Sequence, residues 1–369
     1  MVHQRAIRGL AAGAVALAAL AAFAGCGNQK GQGNDGGAAA DGGSAGGATK
    51  IALLLPENKT TRYESQDRPN FEKDVKALDP SAQVVYNNGN QDATQQQQQV
   101  EAALTDGAKV IVLDPVDASS LGAVLAKAKA KDVPVISYDR YFEGSAYYTS
   151  FDNEKIGELQ GNAVLAGLKA KGVDPKSGPV WMVNGDPKDP NAADFKKGAT
   201  KVLKDAGVNI AASHDTLDWN PDDARQWVAG QLQGGKPKPI AIYAANDGTA
   251  GGVIAAAKKA GQTPVVTGQD GEVDGLQNIL KGDQYATIYK SYAPQAKYAA
   301  EAAVALAKGQ KPDAKDTYKN TPTDFVEADV ITKDNINKVF KTGQTKVSDV
   351  CNTAAVKKLC TDAGINTTN

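Results

Sequence analysis

From residue 50 onward, short apolar runs alternate with amphipathic segments, and this alternation limits the folds that the chain can adopt. The apolar runs predict buried parallel strands at 51–55, 84–86, 109–113, 133–136, 180–183, 208–212, 240–243 and 264–267. Helices are predicted between them, among others at 193–205, 221–233 and 249–260. Strands that alternate with helices build parallel sheets with right-handed crossovers. The 369 residues are enough for two α/β lobes, each with its own core.

The stretch from 133 to 160 carries the first indication of a binding site. Asp139 and Arg140 follow the apolar run at 133–136 almost directly. In open α/β sheets, ligands lie outside the carboxyl ends of the strands, so we expect both side chains to face a crevice. A weak internal repeat supports this expectation, because the residues before Asp139 (VPVIS) resemble those before Asp270 (TPVVT). Two lobes of one design would therefore face each other across a cleft.

The composition argues against several classes of function. The net charge of −1 gives no reason to expect a nucleic-acid partner. Of the two histidines, His3 lies in the N-terminal leader described below, and His214 is expected to be structural. Catalytic triads and metal sites that use several histidines are therefore disfavoured. The segment 218–229 begins with the acidic spacing of a calcium loop, but Asp223 stands where such a loop needs glycine. We therefore expect neither a metal nor a cofactor.

The first 49 residues predict export and attachment to a membrane. Residues 1–26 have the layout of a secretory signal, in which basic residues and an apolar run precede small residues and Cys26. This junction resembles the bacterial lipobox, in which the cysteine is lipidated and becomes the mature N-terminus. The apolar run is short for a span of ~20 residues, which disfavours an uncleaved anchor. Residues 27–49 are rich in Gly and Ala and predict a flexible tether with an r.m.s. reach of roughly 25 Å.

Several short segments, in order along the chain, resemble one protein family. They are TRY at 61–63, YDR at 138–140, SFDNEKIGELQ at 150–160, NA at 191–192, DW at 218–219, NDGTAGG at 246–252, GQD at 268–270 and YK at 289–290. Together they resemble the sugar-binding family of periplasmic binding proteins with the ribose-binding type of fold, and most closely the D-xylose-binding proteins. The resemblance implies a type I periplasmic binding protein, an α/β molecule of two Rossmann-like parallel-sheet lobes joined by a three-segment hinge.

The resemblance also implies how the chain is divided between the lobes. The N-terminal lobe would comprise 50–152 and 286–323, and the C-terminal lobe would comprise 153–285 and 324–345. The three crossovers would fall near 151–153, 284–287 and 323–326. A strand at 325–331, a closing helix at 334–340 and a tail at 346–369 would complete the chain.

A ligand site is implied by the same segments. Carried over by position, it would contain Arg62, Tyr63, Asp139, Arg140, Asn191, Trp219, Asn246, Asp270 and Lys290. These residue types suit a sugar, because planar carboxylate, amide and guanidinium groups can engage two hydroxyls at once. Aromatic rings, for which Trp219 and Tyr63 are candidates, can pack against the C–H faces of a pyranose. Charged groups buried in such a cleft would have to be paired.

Some of these residues also have simpler interpretations. Asp139 and Arg140 could form a surface ion pair, Asn246 could serve only as a helix N-cap, and Trp219 could be a core residue. Each isolated motif has low specificity, whereas several in the expected order are far more specific.

The function implied by the resemblance is that of an extracytoplasmic solute-binding protein. We expect a monomer that captures a monosaccharide, D-xylose above others, and delivers it to the membrane permease of an ABC importer without breaking a bond. Two alternatives remain open at this point. One is a sensor that presents its sugar to a receptor, and the other is a secreted glycoside-processing enzyme that uses Asp139 and Asp270 as paired carboxylates.

The tail contains a pair of cysteines, Cys351 and Cys360. Outside the cytoplasm such a pair usually oxidises. Nine residues of straight helix would hold the two residues about 13 Å apart, which is too far for a disulfide, since the Cα atoms must lie roughly 4.4–6.8 Å apart. A disulfide here therefore predicts a turn between the two cysteines, and the alternative is a disordered tail with two free thiols.

Overall fold

The computed structural model describes residues 48–235 and 237–367. The strands are β1 (Lys50–Leu55), β2 (Gln83–Asn88), β3 (Val110–Leu113), β4 (Val135–Tyr138), β5 (Tyr147–Phe151), β6 (Pro179–Asn184), β7 (Asn209–Asp215), β8 (Ala241–Ala244), β9 (Val265–Asp270), β10 (Ala286–Lys290), β11 (Asp316–Tyr318), β12 (Thr321–Val326) and β13 (Ala328–Thr332). The α-helices are α1 (Arg68–Leu78), α2 (Ala93–Thr105), α3 (Gly122–Ala130), α4 (Asn153–Ala170), α5 (Pro190–Asp205), α6 (Pro221–Gln233), α7 (Asp247–Lys259), α8 (Val273–Lys281), α9 (Tyr292–Ala307), α10 (Val347–Val350) and α11 (Ala354–Asp362). Single turns of other helix types lie at Tyr63–Asp67, Ala118–Ser120 and Leu217–Trp219, and a longer 3-10 helix lies at Lys333–Thr342.

The strands form two sheets, and each sheet is the centre of one lobe. The first sheet has the order β11-β12-β5-β4-β3-β1-β2, and the second has the order β13-β10-β9-β8-β6-β7. Neighbouring strands run parallel except at one edge of each sheet, where β11 is antiparallel to β12 and β13 is antiparallel to β10. The predicted α/β architecture with parallel sheets is therefore confirmed.

Strand β1 shows why the apolar runs are continuous. Ile51, Leu53 and Leu55 pack on one face of the first sheet with α1 and α9. Ala52 and Leu54 point to the other face, where α2 and α3 cover them. Because helices cover both faces of a parallel sheet, each residue of its central strands must be apolar, and the usual alternation with polar residues disappears.

Two predicted segments near the hinge were wrong. The strand predicted at 325–331 is two strands in different sheets: β12 pairs in parallel with β5, whereas β13 pairs antiparallel with β10. The crossover predicted near 284–287 lies later in the chain, because β10 pairs with β9 and so belongs to the second sheet. Residues 286–290 were predicted in the N-terminal lobe but lie in the second sheet, and residues 324–326 were predicted in the C-terminal lobe but lie in the first sheet. The residue pattern alone does not indicate which strand a given strand pairs with. The closing helix predicted at 334–340 is present as the 3-10 helix Lys333–Thr342.

Helices α4 and α5 cross at unusually close range. A methyl group on Gly198 would come within 2.1 Å of the carbonyl oxygen of Glu154, and one on Gly157 within 2.2 Å of that of Phe195. Glycine at both positions lets the two backbones touch. Helix α5 follows β6, so its first turn lies at the carboxyl end of the second sheet, where the cavity described below is found.

A disulfide closes a loop within the tail, and this loop packs on the second lobe. Cys351 and Cys360 are bonded, and their Cα atoms lie 6.2 Å apart. Helix α10 ends just before Cys351 and α11 begins at Ala354, so the chain turns between the cysteines as a bridge requires. Both cysteines are buried in an apolar cluster with Leu276, Ile279 and Leu280 of α8.

The predicted signal peptide, Cys26 and nearly all of the tether lie outside the described residues. In the part of the chain that the structure describes, no helix is long and apolar enough to cross a membrane.

Replacing Cys351 and Cys360 together by alanine should lower the free energy of unfolding by about 2–3 kcal/mol, the loop-closure entropy expected for a loop of this size. Urea denaturation of the oxidised protein and of the variant measures the difference. Treating the unaltered protein with a reductant should reproduce the loss. Equal stability in all three samples, with free thiols in the untreated protein, would show that the bridge does not form.

Candidate functional site

A small cavity lies between the carboxyl ends of the two sheets. Its lining residues are Thr60, Arg62, Tyr63, Asp139, Arg140, Asp189, Asn191, Phe195, Trp219, Asn246, Gln269, Asp270 and Lys290. About 20 Å³ of it is open to the centre of a water-sized sphere, which is room for about one water molecule. The side chains of the two lobes therefore nearly fill the cleft in this closed structure.

Each of the predicted ligand-binding residues lines this cavity, although they come from distant parts of the chain. Arg62 and Tyr63 follow β1, and Asp139 and Arg140 follow β4 of the same sheet. The second sheet contributes the rest: Asn191 on α5, Trp219 after β7, Asn246 after β8, Asp270 at the end of β9 and Lys290 at the end of β10. None of these side chains is more than 5% exposed, so the cleft is closed.

Arg62 organises the wall that the first lobe contributes. Its guanidinium donates to both carboxylate oxygens of Asp67 at 2.7 and 2.8 Å, and Nη1 donates to Oδ1 of Asp139 at 3.0 Å. Gln295 of α9 accepts from Nη2 at 2.8 Å and donates to Asp139 at 3.1 Å. The guanidinium also stacks 3.9 Å from the ring centre of Tyr292. Arg62 is thus held rigidly, as a fully paired buried charge must be.

Asp139 is kept ionised by its surroundings. Burial by itself raises the pKa of this carboxyl, but the nearby charges of Arg62 and Lys290 and the hydrogen bond from Gln295 outweigh burial and lower it to about 2. Asn191 of the second lobe donates to Oδ2 of Asp139 at 3.2 Å. One carboxylate therefore connects the two lobes.

Arg140 makes a second connection between the lobes. Its Nε lies 2.9 Å from Oδ2 of Asp189, which precedes α5, and Nη1 donates to the carbonyl oxygen of Pro115 at 2.9 Å. Trp219 donates its indole N–H to the same oxygen of Asp189 at 3.2 Å. Burial raises the pKa of Asp189 to about 6, against the opposing effect of Arg140. Near neutral pH this carboxylate is largely ionised and holds both a cation and an indole.

Lys290 supplies the remaining positive charge. Its Nζ lies 2.8 Å from Oδ1 of Asp270. The ammonium also lies 5.3 Å from the ring centre of Phe151 and 5.6 Å from that of Phe195, which is within the range of a cation–π contact. Each cation predicted from the sequence therefore has a carboxylate partner.

The simpler interpretations of two residues are also part of the structure. Asn246 caps α7, because its Oδ1 accepts from the backbone N–H of Thr249 at 2.9 Å. Its amide nitrogen is then the group that can serve a ligand. Trp219 belongs to an apolar cluster of the second lobe and lines the cavity as well. Asp139 and Arg140 pair with buried groups, so the interpretation as a surface ion pair is wrong.

Three cavity residues have left-handed backbone conformations. The φ angles are 61° at Asp139, 51° at Trp219 and 98° at Asp270. Such angles are unfavourable for residues with a Cβ atom and concentrate at functional sites. Asp139 and Asp270 are the two positions related by the internal repeat. Each lobe therefore contributes an aspartate with a positive φ angle to the cavity.

The sequence did not identify four of the lining residues: Thr60, Asp189, Phe195 and Gln269. The position of Asp189 could have been predicted in part, because an aspartate directly before a proline is typical of a helix N-cap. In the structure Asp189 caps α5 and accepts from the backbone N–H of Asn191. Asp67 and Gln295, which hold Arg62, lie one layer behind the cavity and had no signal, since their relation to Arg62 exists only after the helices pack.

No group of three or more potential metal ligands occurs among residues 48–235 and 237–367. In the segment considered as a calcium loop, Asn220 caps α6 instead. His214 lies 2.9 Å from Asp223 and stacks on Trp227, as expected for a structural histidine.

Comparison with known proteins adds an independent observation. A family model described as "periplasmic binding protein domain" matches residues 51–311. The D-xylose-binding periplasmic protein of Escherichia coli (strain K12) is 33% identical over 315 residues, which cover 82% of this chain and 92% of that protein. The multiple sugar-binding periplasmic receptor ChvE of Rhizobium radiobacter is 31% identical, over 79% of this chain and 89% of the receptor.

A solved structure of a solute-binding protein has a similar fold. An ABC transporter solute-binding protein from Clostridium phytofermentans, crystallised with bound β-D-glucose, superimposes with a TM-score of 0.75 at 28% identity. The match covers 82% of this chain and all of that one.

The indole of Trp219 packs directly over Gly185, where a methyl group would lie 2.1 Å from the ring. Gly185→Ala should therefore displace the ring and lower stability by about 1–3 kcal/mol through overpacking. Tryptophan emission and urea denaturation measure the two effects. Gly230→Ala is the matched control, because its methyl group would meet no atom within 4 Å and should leave emission unchanged. An unshifted emission spectrum for Gly185→Ala would contradict this packing.

Proposed function

Because the chain belongs to the family of periplasmic binding protein domains, we propose that it captures a monosaccharide, D-xylose above others, between its lobes and delivers it to an ABC transporter permease. The members of this family bind and release their ligands and are not enzymes.

One observation carries the proposal: a single closed cavity is lined by ionised and amide groups from both sheets and by aromatic rings. Carboxylate, guanidinium and amide groups can each engage two neighbouring hydroxyls of a sugar. Trp219 and Phe195 offer aromatic surface for the apolar faces of the ring. The space between the lobes is small, so a sugar ring would hold the lobes slightly further apart than they lie here.

The choice of D-xylose rests on similarity. The E. coli and Haemophilus influenzae relatives that are named D-xylose-binding proteins are 33% and 32% identical over at least 80% of this chain. The multiple sugar-binding relative and the glucose-bound structure support a wider set of related sugars as the alternative. Pentoses and hexoses of this group differ by one hydroxymethyl group or by the orientation of single hydroxyls.

The proposed mechanism is closure of the cleft around the ligand. Arg140 reaches Asp189, and Asn191 reaches Asp139, across the boundary between the lobes. A sugar that bridges the same groups favours the closed state, because a ligand shifts a conformational equilibrium by its differential affinity for the two states. The permease then receives the closed form.

The proposal includes attachment to the outer face of the cell membrane. Lipidation of Cys26 and the tether at 27–49 would keep the folded lobes near the permease. The protein is proposed to act as a monomer, since each chain contains a whole cavity.

A sensory protein that presents its sugar to a receptor would need the same cavity. Glycoside processing has less support, because it needs one protonated carboxyl group to act as an acid. Asp139 is held ionised with a pKa of about 2, and Asp270 is paired with Lys290.

Isothermal titration of the purified protein against a panel of monosaccharides tests the proposal. We expect micromolar binding of D-xylose, accompanied by a change in tryptophan emission. Tighter binding of another pentose or hexose would replace D-xylose within the same proposal. If no monosaccharide binds to folded protein, the proposed sugar function is wrong.

Trp219→Ala should weaken sugar binding at least tenfold, or about 1.4 kcal/mol, because the cavity loses an aromatic wall and Asp189 loses one of its hydrogen-bond donors. Titration calorimetry gives the affinity, and circular dichroism checks the fold. Trp227→Ala is the matched control, since it removes an indole of the same lobe that stacks on His214 outside the cavity. Equal affinities for Trp219→Ala and the unaltered protein would exclude Trp219 from the binding site.

A further inference from the structure

Glu272 lies at the rim of the cavity and is not one of its lining residues. It stands at the N-cap position of α8, two residues after Asp270, but its side chain makes no capping hydrogen bond. Instead, Oε1 accepts two hydrogen bonds from Thr61, at 2.8 Å from the backbone N–H and at 2.9 Å from Oγ1. Thr61 lies between Thr60 and Arg62, which both line the cavity.

These two hydrogen bonds join opposite lobes. Thr61 follows β1 of the first sheet, and Glu272 follows β9 of the second. Thr61 is exposed and Glu272 is half-buried, so the contact lies where the cleft meets solvent. Moving the lobes apart would break both hydrogen bonds at once, and each group would then bind water.

We propose that Glu272 is a latch for the closed cleft: the two hydrogen bonds that it accepts from Thr61 form only when the lobes meet, and they prolong the closed, ligand-holding state. This inference rests on the proposed sugar-binding function. It assigns a role in the rate of release to a residue that does not touch the sugar.

The position of Glu272 has a second consequence, because other acids surround it. Its backbone N–H donates to Oδ2 of Asp247 at 2.9 Å, and Asp270 lies on the adjoining end of β9. The nearby titratable and charged groups are Asp270 on β9, Asp247 on α7, Lys290 on β10, Tyr292 on α9 and, from the first lobe, Arg62. Lys290 is already paired with Asp270.

In the closed form, burial and then the charges of Asp270 and Asp247 raise the pKa of Glu272 to about 8. In an open cleft the side chain meets water, and its pKa should approach the ordinary value of about 4.3. Closing then takes up a proton. The stabilisation of the closed form by this proton is complete below the ordinary pKa and is lost as the pH rises through about 8.

Asp247 should not contribute to this pH dependence. Burial raises its pKa to about 7. However, its side-chain partners Gln284 and Thr287 belong to the same lobe, so its surroundings change little on opening.

The first test is the rate of sugar release, measured by stopped-flow tryptophan fluorescence on the purified full-length protein. Glu272→Ala should raise the dissociation rate about tenfold, since two hydrogen bonds of the closed state are lost, and should leave the association rate nearly unchanged. Thr61→Val removes the Oγ1 donor and should have a smaller effect. The effects of the two substitutions should be less than additive in the double variant, because they remove parts of one contact.

Asp274→Ala is the matched control, because Asp274 is an exposed acid in the same first turn of α8. It should release the sugar at the unaltered rate. Dissociation rates for Glu272→Ala that equal those of the control would overturn the proposal.

The second test needs no sugar, so it separates failure of the latch from failure of the proposed function. Small-angle X-ray scattering of the ligand-free proteins should show a larger radius of gyration for Glu272→Ala than for Asp274→Ala. Equal radii together with equal release rates would refute the latch. If the unaltered protein binds no sugar but Glu272→Ala is still more open, the latch stands and the sugar is wrong.

The third test is the pH profile of sugar affinity. Affinity should fall as the pH rises from 7 through 8, above the range in which Asp189 titrates, and Glu272→Gln, which cannot titrate, should remove most of that slope. An unchanged slope in Glu272→Gln would show that the proton is taken up elsewhere.

Discussion

Buried charges that pair across the two lobes are the constraint on which the closed structure depends. Removing an ion from water costs several kcal/mol, and only good pairing and hydrogen bonding offset that cost. Arg140 of the first lobe pairs with Asp189 of the second, and Asn191 of the second lobe donates a hydrogen bond to Asp139 of the first. Each of these groups stands at the carboxyl end of a strand or the start of the following helix, so the sheets must face each other closely for any charge to be paired. The left-handed backbone at Asp139 and Asp270 is tolerated within this network.

The same network determines what kind of chemistry the cavity can perform. Asp139 remains ionised because its cationic neighbours outweigh the effect of burial, and Lys290 pairs with Asp270. A cavity in which Asp139 and Asp270 are both paired with cations offers many hydrogen bonds of fixed direction. Such a site is suited to holding a polar molecule while the lobes close and to releasing it unchanged when they open. Contacts at the rim, such as that of Glu272 with Thr61, can then govern timing without touching the ligand.

Much of this arrangement could be predicted from the residues. The apolar runs located most strands, because a strand covered on both faces must be apolar throughout. The polar residues that follow β4 and end β9 indicated the cavity, because carboxyl ends of parallel strands meet at one edge of a sheet. The hinge was harder to predict. Residues 325–331 have one continuous pattern but pair first with β5 and then with β10, and no local preference distinguishes these partners.

The sequence by itself determined the alternation of strands and helices, the two-lobed α/β class and the residue types that the cavity would present. These properties follow from local patterns of polarity and from short segments that keep their order. Only the tertiary structure decided which charge meets which. Arg62 is paired with Asp67 as well as with Asp139, and Asp189 holds both Arg140 and Trp219. The physical reason is that pairing energies depend on distance and burial, and residues far apart in sequence acquire both only when the two sheets and their helices have packed.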